Sequence, residues 1–293
     1  MIVTVIGTGL IGGSMALDLK KRRLATAVFG VDKNSIHLAK ALEVGIIDEA
    51  KSLEEAVPAS DLIILAIPVD NAPEVLKSVL DNIKPEATVI DVGSIKQNIS
   101  AAVADHKNRS QFVACHPIAG TEFSGPDAAH YYLFDGKVNI ICDADKSSAS
   151  ALATAEKVFD TLKMKAIKMD AAEHDRHIAY VSHLSHITSF TLGLTVLDIE
   201  KDEKSIFNMA GSGFASTVRL ANSSANMWAP IFHENKENLV TAIDAYVDKL
   251  NALKTMIQQN DLDKTHEHIA SANEIKRILD GIELKGQEAA LNN

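Results

Sequence analysis

The chain has 293 residues, 46% of them apolar and 23% charged, and a net charge of −10, which suggests about two domains with sizeable cores. That charge, with no basic stripe opposing it, argues against nucleic acid or an anionic membrane as partner. Cys115 and Cys142 are too few for a disulfide framework, the N-terminus has no basic leader, and no apolar run reaches the roughly 18 residues of a membrane span, so a cytoplasmic, reduced setting is expected.

The first half alternates strands and helices. Residues 1–6 are an apolar, β-branched run that ends in Gly7-Thr8-Gly9-Leu10-Ile11-Gly12-Gly13, followed by the helical pattern "SMALDLKK". A second strand, 27–31, ends at Asp32, and further strands are expected at 61–68, 87–94, 112–117 and 138–142, with helices between most of them. A helix near 147–162 and a strand at 164–169 close this part. The alternation predicts an α/β domain over residues 1–170, a mostly parallel, doubly wound Rossmann-type sheet.

From Ala171 the strand signals stop. One long helix is expected to about Leu197, another over 236–259, and a last one over about 262–279 before the polar tail "KGQEAALNN". Residues 171–293 are therefore read as an all-α domain, and apolar surfaces this long often dimerise.

The glycine turn follows a strand, opens a helix, and has an acid 20 residues past Gly12. That is the context a dinucleotide fingerprint requires. Gly7 makes the tight turn, Gly9 lets backbone approach a pyrophosphate, and Gly12 lets helix and strand pack closely. The backbone N–H groups from Thr8 to Ile11 open the helix and face the phosphates with its positive dipole end. Asp32 can accept from ribose hydroxyls and repels a 2′-phosphate, which favours NAD over NADP.

The second candidate is "FVACHPIAGTEFSG" at 112–125, a buried-looking strand that ends in His116. The preceding strand runs into "DVGSIK", so two successive strand ends bring together Ser94, Lys96 and His116, a hydroxyl, an amine and an imidazole near the nicotinamide end of a cofactor, with Lys96 expected to contact the substrate. A neutral imidazole can take a proton as hydride leaves. A Cys115–His116 dyad fails, because strand neighbours point to opposite faces. A metal cluster of His174, His177, His183 and His186 also fails on a straight helix: at about 100° per residue the first pair lies near the face opposite the second. No metal is expected.

The chain resembles the prephenate dehydrogenase family, which includes arogenate dehydrogenases. The resemblance is carried by "VIGTGLIGGS", "LAIPV", "DVGSIK", "HPIAGTEFSG", "HD" at 174–175, "SHLSH" at 182–186 and "GSGFASTVRLANSSANMW" at 211–228. It implies NAD as cofactor, with Ile67 and Pro68 beside the glycine turn, and oxidative decarboxylation of prephenate to 4-hydroxyphenylpyruvate on the route to tyrosine. His116 matches the catalytic histidine and Ser94 the serine that hydrogen-bonds it and fixes its tautomer. Thr121 and Glu122 match pocket residues, Ser182 and His186 substrate contacts, and Arg219 the arginine that receives a substrate carboxylate. A homodimer through the helical domain is implied as well. His174 and Asp175 are read as a helix-start pair at the domain junction.

The stretch Gly213–Arg219 departs from the family pattern. Ala215 and Ser216 stand where a basic residue and an aspartate are usual, and Ser224-Ala225 replaces an aspartate-proline. Local charge beside Arg219 is lost, which bears on substrate preference more than on reaction type; arogenate is the alternative substrate, and no single residue decides between the two. A general β-hydroxyacid dehydrogenase would rely on a catalytic lysine on the helical domain, where this chain offers histidines. A non-catalytic NAD sensor is a further alternative, against which the pairing of His116 with Ser94 argues. The chain is also expected to lack an N-terminal mutase and a sizeable appended regulatory domain.

Overall fold

The computed structural model describes residues 1–121 and 123–281. They fall into two compact units, Met1–Leu239 and Val240 onward.

The first unit is built on one eight-stranded sheet: β1 (Ile2–Ile6), β2 (Ala27–Val31), β3 (Glu49–Ala50), β4 (Leu62–Leu65), β5 (Thr88–Asp91), β6 (Phe112–Pro117), β7 (Val138–Cys142) and β8 (Lys165–Met169), in the order β3-β2-β1-β4-β5-β6-β7-β8. All pairings are parallel except β6 with β7. The expected strands are all present. The two-residue β3 was not foreseen; its Glu49-Ala50 is exposed and carries no apolar signal.

Both faces of the sheet are covered, and the alternation of side chains shows it. Val3 and Val5 of β1 and Leu62 and Ile64 of β4 enter one core, which also holds Met15 and Leu19 of the first helix (Leu10–Lys21). Ile6, Ile63 and Leu65 enter the other, against Leu76, Val79 and Leu80 of the helix Ala72–Asn82. Strands buried on both faces read as continuous apolar runs, as "LIIL" does. Chain order reverses between β1 and β4, which opens a crevice at the carboxyl ends of the strands. The glycine turn leaves the end of β1 there, and His116 sits at the end of β6.

After β8 the chain enters the helix Ala171–Ile178, whose N-cap Asp170 accepts from Glu173 N–H at 2.6 Å. The expected single long helix is interrupted. Ala179–His183 is wound as a π-turn, and α-helix resumes over Leu184–Glu200. Short helices Ser212–Val218 and Ala225–Glu234, not foreseen from the sequence, complete this part of the unit. A small core of Ile95, Trp228 and Ile231, backed by Val69, Phe190 and Phe232, packs these helices onto the loop after β5. Asn98 Nδ2 adds a polar tie, donating to the Glu234 carboxylate at 2.5 Å.

The helix Lys236–Gln258 runs into the second unit, where it is followed by Leu262–Ala272. The last helix, expected to about 279, is present: α-helix over Leu262–Ala272 is broken by the single turn residue Asn273 and resumes over 274–281. The tail "KGQEAALNN" lies outside the described residues. Among the described residues no helix is long and apolar enough to cross a membrane.

Candidate active site

Steric limits set the glycine turn. Gly7 has φ +95, and a Cβ there would lie 2.3 Å from Ala66 O, so only glycine fits. A Cβ on Gly12 would lie 2.2 Å from Gly7 O, which is why helix and turn pack so closely. At Gly9 the nearest atom to a Cβ is 3.9 Å away. That space opens at the N-terminus of the twelve-residue helix Leu10–Lys21, where anionic groups are favoured. Ile67 is half-buried, its Cγ2 3.0 Å from where a Gly7 Cβ would sit, and Pro68 follows it.

Asp32 is held in place. Its Oδ2 accepts from Thr8 N–H at 3.0 Å and from the Thr8 hydroxyl at 3.2 Å, while Oδ1 accepts from Asn34 N–H at 2.9 Å. A carboxylate offers about four acceptor sites, so one on Oδ1 is left for a ribose hydroxyl. The turn, the helix end and the acid together fit a dinucleotide with free ribose hydroxyls.

Around His116 the structure rearranges the expected partnerships. Ser94 lies half-buried just past β5, and among the described residues no hydrogen bond joins it to His116. The partner of His116 Nδ1 is His174 Nε2, at 2.8 Å. His174 Nδ1 lies 2.7 Å from Asp175 Oδ1. Asp175 in turn accepts from the backbone N–H of Lys96 at 2.9 Å and of Gln97 at 2.8 Å. His174 and Asp175 are both buried. They are more than a junction pair: they run from the loop after β5 to the ring at the end of β6.

Lys96 is not a substrate contact. Its side chain is fully buried, its ammonium pairs with Asp91, and it also donates to Cys115 O at 2.7 Å. Asp91 further accepts from Cys115 N–H at 3.1 Å and Gly93 N–H at 3.0 Å. The sequence places Lys96 at the right strand end but does not say that its side chain turns inward. Cys115 is a buried hydrophobe whose thiol is pushed well up by burial and by Asp91.

The π-turn corrects the phase of the histidines. One extra residue per turn rotates everything after it by about 100° relative to a regular helix. His183 thereby moves from opposite His174 to roughly 80° from it, and His186 to within about 20°. The structure agrees: His183 is buried, as His174 is, where a regular helix would set the two on opposite faces. His177, expected to share a face with His174, is exposed beside Glu173. Among the described residues no group of three or more His, Cys, Asp or Glu side chains could hold a metal ion.

Burial, then the charges of His174, Lys96 and His183, holds the His116 imidazole well below its ordinary pKa. It is therefore neutral at working pH. His183 is lowered to about 4, chiefly by burial, with its Nδ1 3.3 Å from Asn235 Nδ2. Asn235 donates to Asp175 O at 2.8 Å, so His183 braces the same segment.

His186 donates from Nδ1 to Ser182 O at 3.1 Å and stacks on Trp228, ring centroids 3.5 Å apart. Burial lowers its pKa, and the nearby positive charge of Arg219 lowers it further. Arg219 is itself exposed, at the start of the turn Arg219–Asn222. Ser182 lies within the π-turn, half-buried. An apolar cavity of about 370 Å³, lined by Phe190, Leu194, Trp228 and Phe232 among others, adjoins this stack. Thr121 is exposed and its hydroxyl accepts from Phe123 N–H at 3.2 Å, in its own turn. Glu122 lies outside the described residues.

Residues 15–168 match the model of the prephenate dehydrogenase nucleotide-binding domain, and residues 170–271 that of the prephenate dehydrogenase dimerization domain. The chain belongs to the prephenate dehydrogenase family. It is 29% identical to the prephenate dehydrogenase of Bacillus subtilis over 98% of its own length and 77% of that protein's. Among solved structures it is similar to prephenate dehydrogenase from A. aeolicus in complex with hydroxyphenyl propionate and NAD+, with 32% identity, a TM-score of 0.87, and coverage of 95% of this chain and 97% of that one. It is also similar to Synechocystis arogenate dehydrogenase, with 27% identity, a TM-score of 0.77, and coverage of 95% and 100%. The expected fold, a Rossmann-type domain followed by helices, is the fold of this family.

Proposed function

We propose that the chain catalyses the NAD-dependent oxidative decarboxylation of prephenate to 4-hydroxyphenylpyruvate, with His116 as the general base. The observation that carries this reading is the state of His116: a half-buried, neutral imidazole at the carboxyl end of the sheet, with Nδ1 engaged by His174 and Nε2 left for substrate. NAD, when bound, accepts the hydride. His116 Nε2 takes the proton from the ring hydroxyl on the carbon that loses that hydride. Loss of carbon dioxide then aromatises the ring and makes the step essentially irreversible.

Arg219, beside His186, is the cation we assign to a substrate carboxylate, through two parallel hydrogen bonds. Ser182, His186, Thr121 and Glu122 are the remaining substrate contacts of this reading, Ser94 adjoins the base, and the Gly7–Gly12 turn with Asp32, Ile67 and Pro68 holds the cofactor. The division into residues 1–170 for NAD and 171–293 for substrate and dimerisation belongs to the proposal, as does a cytoplasmic homodimer that uses neither nucleic acid nor membrane.

Absorbance at 340 nm, with prephenate or arogenate and NAD or NADP, tests the reading. Prephenate with NAD is expected to turn over, and His116→Asn to lower kcat by about 10²–10⁴. Arogenate is the second reading, since Ala215 and Ser216 leave no charge there to settle substrate preference; preference for it would move the error to that pocket. Tight NAD binding with no turnover of either substrate would leave a sensor.

A further inference from the structure

We propose that Asp175 and His174 are positioning residues for His116, a relay that fixes which nitrogen of the base is bare and answers the charge it acquires. The inference rests on the reading of His116 as the base and adds what makes it one.

The direction of the relay follows from donor and acceptor chemistry. An ionised Asp175 can only accept, and two backbone N–H groups already point at it. His174 Nδ1, 2.7 Å from Asp175 Oδ1, must therefore carry a hydrogen. In neutral His174 the other nitrogen, Nε2, then has only a lone pair. His116 Nδ1, 2.8 Å away, must supply the hydrogen of that bond. His116 is thus held with Nδ1–H, and its lone pair sits on Nε2. When Nε2 takes the substrate proton, the imidazolium still donates from Nδ1 to His174, and the positive charge is balanced by a carboxylate one ring away.

The surroundings leave this relay as the route by which His116 is oriented. Beneath the strand end, the Lys96 ammonium is committed to Asp91 and Cys115 O. On the helical side, His183 Nδ1 accepts from Asn235, and His186 Nδ1 donates to Ser182 O with Arg219 nearby. A buried histidine that merely fills space would not need its partner ring to end on a carboxylate fixed by two backbone amides.

Nitrogen NMR of full-length enzyme with ¹⁵N-labelled histidine reads the tautomer directly. In the wild type, His116 is expected to show a protonated Nδ1 and an unprotonated Nε2. In His174→Leu the acceptor is gone, and His116 is expected to shift toward Nε2–H, with kcat about 10²-fold lower and with KM and NAD affinity unchanged. His174→Gln, whose amide oxygen can still accept, is expected to keep the wild-type tautomer and recover part of kcat. A protonated Nε2 in the unmutated enzyme overturns the proposal without any variant having to fold. Equal losses in Leu and Gln, or parallel losses of KM and NAD affinity, overturn it as well. Absence of turnover by wild type would defeat the assigned reaction instead, while the tautomer would still be read.

Discussion

Two buried carboxylates flank His116 and do different things. Asp91 accepts from Lys96 and from the backbone of Gly93 and Cys115, and Lys96 closes the circuit on Cys115 O. Every bond in that network returns to the two strand ends it ties together. Asp175 also accepts from two backbone amides, but its third bond leads outward through His174 to a ring that is only half-buried. A network that closes on itself holds a shape, and one that ends on a nitrogen with no partner among the described residues is the one we assign to chemistry. Residue type does not separate the two; the last atom of the chain of bonds does.

The largest effects should separate the two networks cleanly. His116→Asn is expected to lower kcat by about 10²–10⁴ while thermal unfolding stays near wild type. Lys96→Met should do the reverse. It leaves Asp91 buried without its counter-charge, at a cost of about 3–5 kcal/mol, read as a fall in urea midpoint. If Lys96→Met folds normally but loses turnover, the contrast between the two networks is wrong.

Acid should also act through the helical side. The folded pKa of His183 is lowered to about 4 from 6.5, so the unfolded state binds more protons between those values. Stability is full above the unfolded pKa and falls as pH drops toward the folded one, by about 3 kcal/mol from this group. Urea unfolding at pH 7 and near pH 4, with and without His183→Gln, checks the sign. Arg219→Lys, which keeps charge but loses the paired geometry, should raise the prephenate KM about tenfold, with kcat little changed, if the arginine holds a carboxylate outside the reacting centre. Smallest is Asp32→Asn, expected to weaken NAD by severalfold and narrow the preference over NADP, read from the two KM values.

Much of the sheet is legible because its signals are local. A β-branched run, a glycine turn where Cβ atoms would clash with Ala66 O and Gly7 O, and an acid at the end of β2 all lie in short stretches of chain. The exception is β3, whose two exposed residues pair with β2 only because the sheet is already there. His116 is legible for the same reason, as a polar residue ending an apolar strand. Its partner is not. His174 is 58 residues away, and nothing in "HD" says which ring it will meet. Lys96 was misplaced because strand-end position fixes where the backbone is and not which way a long side chain turns. The histidine helix was misread because apolar periodicity assumes regular winding, and a π-turn leaves no mark in "AYVSH".

That π-turn makes winding, and not only composition, a determinant of this enzyme. Most surface helices accept exchanges on their outer face with little harm. Here deletion of Tyr180 alone, an exposed residue, would leave His183 and His186 in their present phase, because eight residues of regular helix turn through about the same angle as nine with a π-turn. Regular winding of the intact sequence, by contrast, would swing both by about 100° away from the strand that bears His116. Every side chain of the site would still be encoded, in the same order, and the site would be gone.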